Sequence, residues 1–270
     1  TTWTAYALFT PNRDTELLNG LVQHYLDQSW VPRWIAPGGT NSMVGTSSDV
    51  IFGDAMVKGI EFDYENAYAS ALRNAATVSS DLTNGGRTDL DTSIFLGYTP
   101  DDGEEKMFSW AMEGYINDFG IAQMAKILAE TETDEEKKAE YESEYQYYLN
   151  RAQNYTLLFD DGQGTVDTMW LRGRDSSGNW TTVNTTDGVY DPVRWRGDYT
   201  ETNGYNMSVS VPQDVQGLAN LYGGREQLAE KIDSILTDYT PFRGNGATDD
   251  AVGGIHEQKE AREVKLGQYG

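Results

Sequence analysis

The sequence predicts an all-α chain of repeated helical hairpins, part of an α/α toroid, with long decorated loops and a small β-hairpin. Three observations predict it. Apolar residues recur at the helical period in neighbouring segments that pair off. In the clearest pair, one member is apolar nearly all round and its partner carries a single stripe. The connections after the outer members hold aromatics, amides and most glycines, whereas a helical solenoid keeps its links short and regular.

Taken in order, residues 12 to 28 place Leu17, Leu18, Leu21, Val22, Tyr25 and Leu26 on one helical face. Val31 to Thr40 holds two prolines and two glycines, so it is a loop that presents Trp34. The run Gly45-Thr46-Ser47-Ser48-Asp49 supplies N-cap residues for a helix over 48–58, closed by Gly59. A second helix follows from Asp63 to Thr77. Residues 78–107 lose the period, and only Thr92 to Tyr98 reads as a strand. A helix from Ser109 to Glu130 is apolar on nearly every side and belongs inside, which makes Glu113 and Asp118 partly buried carboxylates. Thr133-Asp134-Glu135-Glu136 reads as a capping box for a striped outer helix that runs to Leu157.

Beyond it the chain turns glycine-rich. A hairpin is expected through Thr168–Leu171 and Asn179–Thr182, turned at Asp175-Ser176-Ser177-Gly178. Asp214 caps a helix that ends at Gly223-Gly224, and a partner helix carries Leu228, Ile232, Ile235 and Leu236. A leading helix and three pairs result, near 48–77, 109–157 and 213–237.

Composition removes several functions. Of 270 residues 43 are acidic and 20 basic, a formal charge of -23, and no Lys/Arg block exists to bind phosphate, so nucleic acid is not expected as a partner. Cysteine is absent, which rules out thiolate catalysis and Cys-ligated zinc. No run of about 18 apolar residues spans a membrane. There are two histidines: His24 fits a helix surface, and His256, after Gly253-Gly254, fits a loop at a pocket edge. The first residues do not read as a signal peptide.

The densest chemistry lies in Trp195-Arg196-Gly197-Asp198-Tyr199-Thr200-Glu201-Thr202-Asn203-Gly204-Tyr205-Asn206. Carboxylates, amides and aromatic rings sit there without a helical or strand period, the mixture a carbohydrate pocket uses. Glu201 is the candidate general acid, with Asp198 and Asn203 as candidate sugar contacts. The competing reading is a polar turn whose aromatics anchor it to the core. Asp54, a carboxylate in an apolar helix, must face water or be paired. Trp34 is either a sugar platform or a core anchor.

Pro32-Arg33-Trp34, the stretch Gly45 to Ala55 with Lys58-Gly59, Gly114-Tyr115-Ile116-Asn117-Asp118-Phe119-Gly120-Ile121-Ala122, Tyr199 to Gly204, and Pro212-Gln213-Asp214 with Gly217-Leu218 carry a resemblance. In that order, over nearly the whole chain, they resemble glycoside hydrolase family 92. The resemblance implies a calcium-dependent exo-α-mannosidase that trims mannose-containing oligosaccharides of the N-glycan type, α-1,2 linkages among them, with inversion. It implies an N-terminal β-sandwich joined to an (α/α)6 toroid, of which residues 1–270 would be an incomplete part. It also implies Glu201 as general acid, Asn206 as a neighbour of the calcium, Asp54 and Trp34 as mannose contacts, and export to the periplasm or medium. The family's water-activating aspartate lies in a glycine-rich motif downstream of this chain, so this chain would be inactive alone. The alternatives are a non-catalytic carbohydrate-binding or scaffold toroid, and a related glycosidase acting on glucosides.

Overall fold

The computed structural model describes residues 2–237 and 243–244. They fall into two compact units, one containing the chain up to Phe95 with Glu113–Asn154, the other Leu96–Met112 and the chain from Tyr155 onward. His256 lies outside the described residues.

The first unit is helical throughout. It contains α1 (Thr2–Phe9), α2 (Pro11–Gln28), α3 (Ser48–Val57), α4 (Tyr64–Ala76) and α7 (Glu135–Ala152), together with most of α5 (Leu90–Leu96) and of α6 (Met107–Thr131). Its core joins Leu18 and Val22 of α2, Phe52, Ala55 and Met56 of α3, Ala67, Tyr68 and Ala71 of α4, and Ile121, Ala122 and Met124 of α6. Two glycines let α3 and α6 cross closely. A Cβ on Gly53 would fall 2.6 Å from the Gly120 carbonyl oxygen, and one on Gly120 would fall 2.6 Å from Val50 Cα. That spacing is below van der Waals contact, so both positions need hydrogen in place of a side chain.

A polar network is buried in the same unit. Arg87 donates to Asp118 at 2.7 Å and to Asp49 at 3.3 Å, and Arg151 donates to Asp118 at 3.0 Å. Thr46 and Asn74 donate to Asp49 at 2.7 and 2.8 Å. Asp118 is therefore a paired structural carboxylate, as expected for the inner face of α6.

The second unit combines α8 (Gly204–Met207), α9 (Val215–Tyr222) and α10 (Arg225–Thr237) with two-residue strands. β1 (Phe159–Asp160) pairs antiparallel with β2 (Trp170–Leu171), and β3 (Thr185–Thr186) with β4 (Val189–Tyr190). β5 (Arg194–Trp195) pairs parallel with β6 (Arg243–Gly244). Asp214 caps α9, accepting from Gly217 N–H at 2.8 Å on one oxygen and from the Tyr155 hydroxyl at 2.9 Å on the other. Gly223, at φ +99°, ends that helix in the left-handed region only glycine enters freely. On α10 a lysine, Lys231, takes a core position between Leu228 and Ile235.

Four local expectations change. Thr92–Tyr98 is not a strand: Leu90–Leu96 is the helix α5, and its exposed Phe95, 86 % accessible, gives no strand-like alternation. The hairpin turn at 175–178 is present, with Gly178 N–H on the Asp175 carbonyl and a bridge between Arg174 and Trp180, but Trp170-Leu171 pairs with Phe159-Asp160 instead. The cap of α7 is Asp134, whose carboxylate accepts from Glu136 and Lys137 N–H, and the helix stops at Ala152 before a 3-10 turn over Asn154–Leu158. An additional helix, α1, precedes the first expected one.

Candidate functional site

The stretch 195–206 forms a tight turn followed by a single helical turn, all within the second unit. Arg196 N–H donates to the Thr202 carbonyl at 3.0 Å and closes the turn on itself. Closure at this length needs left-handed backbone, and Arg196, Gly197 and Glu201 adopt φ of +66°, +71° and +50°. For a non-glycine residue that conformation costs about 1 to 3 kcal/mol and persists only where the surroundings impose it.

The surroundings are the N-terminus of α6. Phe108 N–H donates to Asp198 Oδ1 at 2.8 Å, and Ser109 donates through both its N–H and its hydroxyl to the Asp198 carbonyl at 3.3 Å. Lys106 N–H donates to the Gly197 carbonyl at 2.9 Å, and Thr200 N–H donates to Ser109 Oγ at 2.8 Å. From the other side, Asn184 accepts from Asp198 N–H at 3.0 Å and donates to the Arg196 carbonyl at 2.8 Å. Helix N-termini carry unsatisfied N–H groups and partial positive charge, so a carboxylate is the natural partner.

Asp198 is 1 % exposed. Burial pushes its carboxyl up to about 7, and Asp101 adds to the rise, while the Phe108 N–H and Arg172 oppose it. Tyr199 anchors the turn beneath, packing edge-on against Phe108 at 5.2 Å and donating to the Leu171 carbonyl. Glu201, like Arg196, is exposed. Burial in this stretch thus falls on Asp198, three residues before Glu201.

Asn203 caps α8, its side-chain oxygen accepting from Asn206 N–H at 3.2 Å. That bond occupies one lone-pair direction of the amide proposed to touch sugar. Asn206 is 1 % exposed, and among the described residues neither its Oδ1 nor its Nδ2 has a partner. The hydroxyls of Thr200 and Thr202 are in the same condition. Buried polar groups are nearly always hydrogen-bonded, so an orphaned amide and two hydroxyls around Glu201 fit a polar ligand with both donors and acceptors. Calcium accepts neutral oxygens of this kind. Among the described residues no group of three or more His, Cys, Asp or Glu side chains could hold a metal.

A cavity of about 280 Å³ lies along α8 and α10, lined by Asp167, Trp170, Tyr205, Lys231, Ser234 and Thr237. Lys231 Nζ sits 3.3 Å from the Trp170 ring centre and donates to the Val166 carbonyl.

The remaining candidates, Asp54 and Trp34, belong to the first unit. Asp54 pairs with Lys58 at 2.6 Å, and both side chains are about one-third exposed, at 37 % and 34 %. The α3–α6 glycine crossing holds that turn of helix. Trp34 is 46 % exposed on a loop pinned by Thr40 N–H on its carbonyl. The anchoring partners Phe108, Ser109 and Asn184 were not identified from sequence. Ser109 showed only as a helix start, and no local pattern joins it to a turn ninety residues away.

The model of the glycosyl hydrolase family 92 catalytic domain matches residues 1–265. An uncharacterized secreted glycosidase of Arthroderma benhamiae is 24 % identical over 257 residues, covering 83 % of this chain and 30 % of that protein. The solved structure of a family GH92 inverting mannosidase from Bacteroides thetaiotaomicron superposes with a TM-score of 0.69 at 24 % identity, over 93 % of this chain and 31 % of that one. At that identity the likeness establishes the fold, a mostly helical piece of the same architecture. The chain spans less than one-third of the length of either relative.

Proposed function

The chain belongs to glycoside hydrolase family 92, and from that membership we propose that it is part of an inverting α-mannosidase in which Glu201 is the general acid. The observation that supports the reading is the buried amide of Asn206, which has no hydrogen-bond partner among the described residues. Buried amides are normally hydrogen-bonded, so this one suits a polar ligand.

In the proposed reaction Glu201 gives its proton to the glycosidic oxygen as the C–O bond breaks, and water attacks the anomeric carbon from the opposite face. The water needs a second carboxylate, roughly 6.5 to 9.5 Å from the acid in inverting enzymes. No residue of this chain is assigned that role. Asp54, Trp34 and Asn203 are proposed as contacts to the mannose, and Asn206 Oδ1 with the threonine hydroxyls as ligands of calcium. Calcium there would polarise sugar hydroxyls. Asp198, expected from sequence as a sugar contact, is committed to the backbone of α6. The substrates we propose are terminal α-mannosides of the N-glycan type, α-1,2 linkages included, encountered outside the cytoplasm. Residues 1–270 would then be one section of a larger toroid domain accompanied by a β-sandwich.

The exposure of Glu201 favours a second reading, a non-catalytic carbohydrate-binding toroid. Proton NMR of an α-mannoside digest by the full-length protein separates the two. The proposal expects β-mannose as the first product and a loss of turnover with a calcium chelator that added calcium reverses. No turnover, or α-mannose first, contradicts it.

A further inference from the structure

We propose that Asp198 is a positioning residue for the Glu201 carboxyl: seated on the N-terminus of α6, it holds the strained turn that aims Glu201. The inference rests on the reading of Glu201 as the acid and goes beyond it, because it explains how an exposed side chain keeps one direction.

The turn has two points of unfavourable backbone, Arg196 and Glu201, both left-handed and neither glycine. Left free, a chain relaxes such residues, since each costs about 1 to 3 kcal/mol. Between them lies a cluster of restraints, much of which falls on Asp198 and Ser109. The Asp198 carboxylate takes the Phe108 N–H, its carbonyl takes Ser109 twice, and its own N–H is held by Asn184. Ser109 Oγ then accepts from Thr200 N–H, the residue immediately before Glu201. Two elements distant in sequence thus fix the turn on both sides of its apex.

The other carboxylate oxygen, Oδ2, packs against the Gly173 backbone so closely that a Cβ at 173 would overlap it. A residue needed only to cap a helix would be served by an exposed Ser or Asp from the adjacent chain. Here the cap is fully buried, comes from ninety residues away, and is spaced three residues from the acid. Sub-ångström placement of an acid matters, because misplacement by about 1 Å can cost on the order of 100-fold in rate.

The test compares Asp198→Ala, Asp198→Asn and Ser109→Ala in the full-length enzyme, with Glu201→Gln as reference. Aryl α-mannosides with good and poor leaving groups are the probes. Asp198→Ala is expected to lower kcat on the poor leaving group by roughly 100-fold, at least ten times more than on the good one, with KM changed little. The Asp198→Asn variant retains the Oδ1 acceptor, so it should recover most of that loss. Equal losses on both substrates, or none, overturn the proposal. Should Asp198→Ala fail to fold, Ser109→Ala removes the Thr200 restraint and the hydroxyl bond to the Asp198 carbonyl while leaving the Asp198 carboxylate in place, and must show the same split. Hydrogen exchange provides a readout independent of activity: the Arg196 and Thr200 amides should exchange at least about tenfold faster in either variant. If Glu201→Gln itself shows no leaving-group dependence, the acid assignment fails and the proposal falls with it; if only the Asp198 and Ser109 variants lack it, the acid stands and the positioning role falls.

Discussion

Lys231 occupies a core position on α10 with no exposed surface, and its amine has one carbonyl acceptor and the face of Trp170. Burial lowers its pKa to about 7, and Asp167 only partly offsets this. The unfolded chain keeps an ordinary lysine near 10.4, so from pH 7 to about 10 the unfolded state binds the extra proton. Stability therefore rises with pH across that window, and the full penalty applies below it. Lys231→Met should raise Tm by several degrees at pH 6, at roughly 2 to 4 °C per kcal/mol, and by much less at pH 10. Thermal unfolding followed by circular dichroism at the two pH values checks this; an equal gain at both would contradict it. The sequence signals that a lysine lies on an apolar face, since Leu228, Ile232 and Ile235 mark that face. It does not show what receives the ammonium, because Trp170 is brought in by a strand sixty residues earlier.

At the scale of elements, periodicity located the helices well and their partners poorly. The encircling pattern of α6 matches the buried residues, and the stripe of α2 is buried at Leu18 and Val22 but exposed at Leu26, because helix burial is written into a 3.6-residue period that fades at the helix end. The short pieces failed for the opposite reason. A seven-residue stretch such as Thr92–Tyr98 carries too little pattern, and its Ile-Phe-Leu run suits a strand as well as the helix α5. The strand Trp170-Leu171 found its partner through packing, not through the turn nearest in sequence. Arg87 lay in a segment without any period, yet it joins α3 to α6 through Asp49 and Asp118. Replacing it leaves Asp118 paired with Arg151 and takes the cation away from the buried Asp49. Arg87→Met should cost about 3 to 5 kcal/mol in urea unfolding, the range for breaking a buried pair from one side. A loss below about 1 kcal/mol would show that the network adds no stability.

For the molecule as a whole, family and fold class were both legible, because the matching motifs are strung in order over nearly the entire chain. The candidate site was legible only as a list of residues. Glu201 could be named from the residues around it and Asn206 from the family resemblance, but the buried carboxyl turned out to be Asp198 and the orphaned groups became visible only once burial was known. Asp54 and Trp34 fall in one compact unit and Glu201 in the other. The central claim is that position 201 donates a proton to a mannosyl oxygen. Its most direct test is kcat of full-length Glu201→Gln on an α-mannoside with a poor leaving group against one whose leaving group needs no proton. Proton donation from Glu201 predicts a fall of about 100-fold or more on the first and little change on the second; an undiminished rate on the first would contradict it.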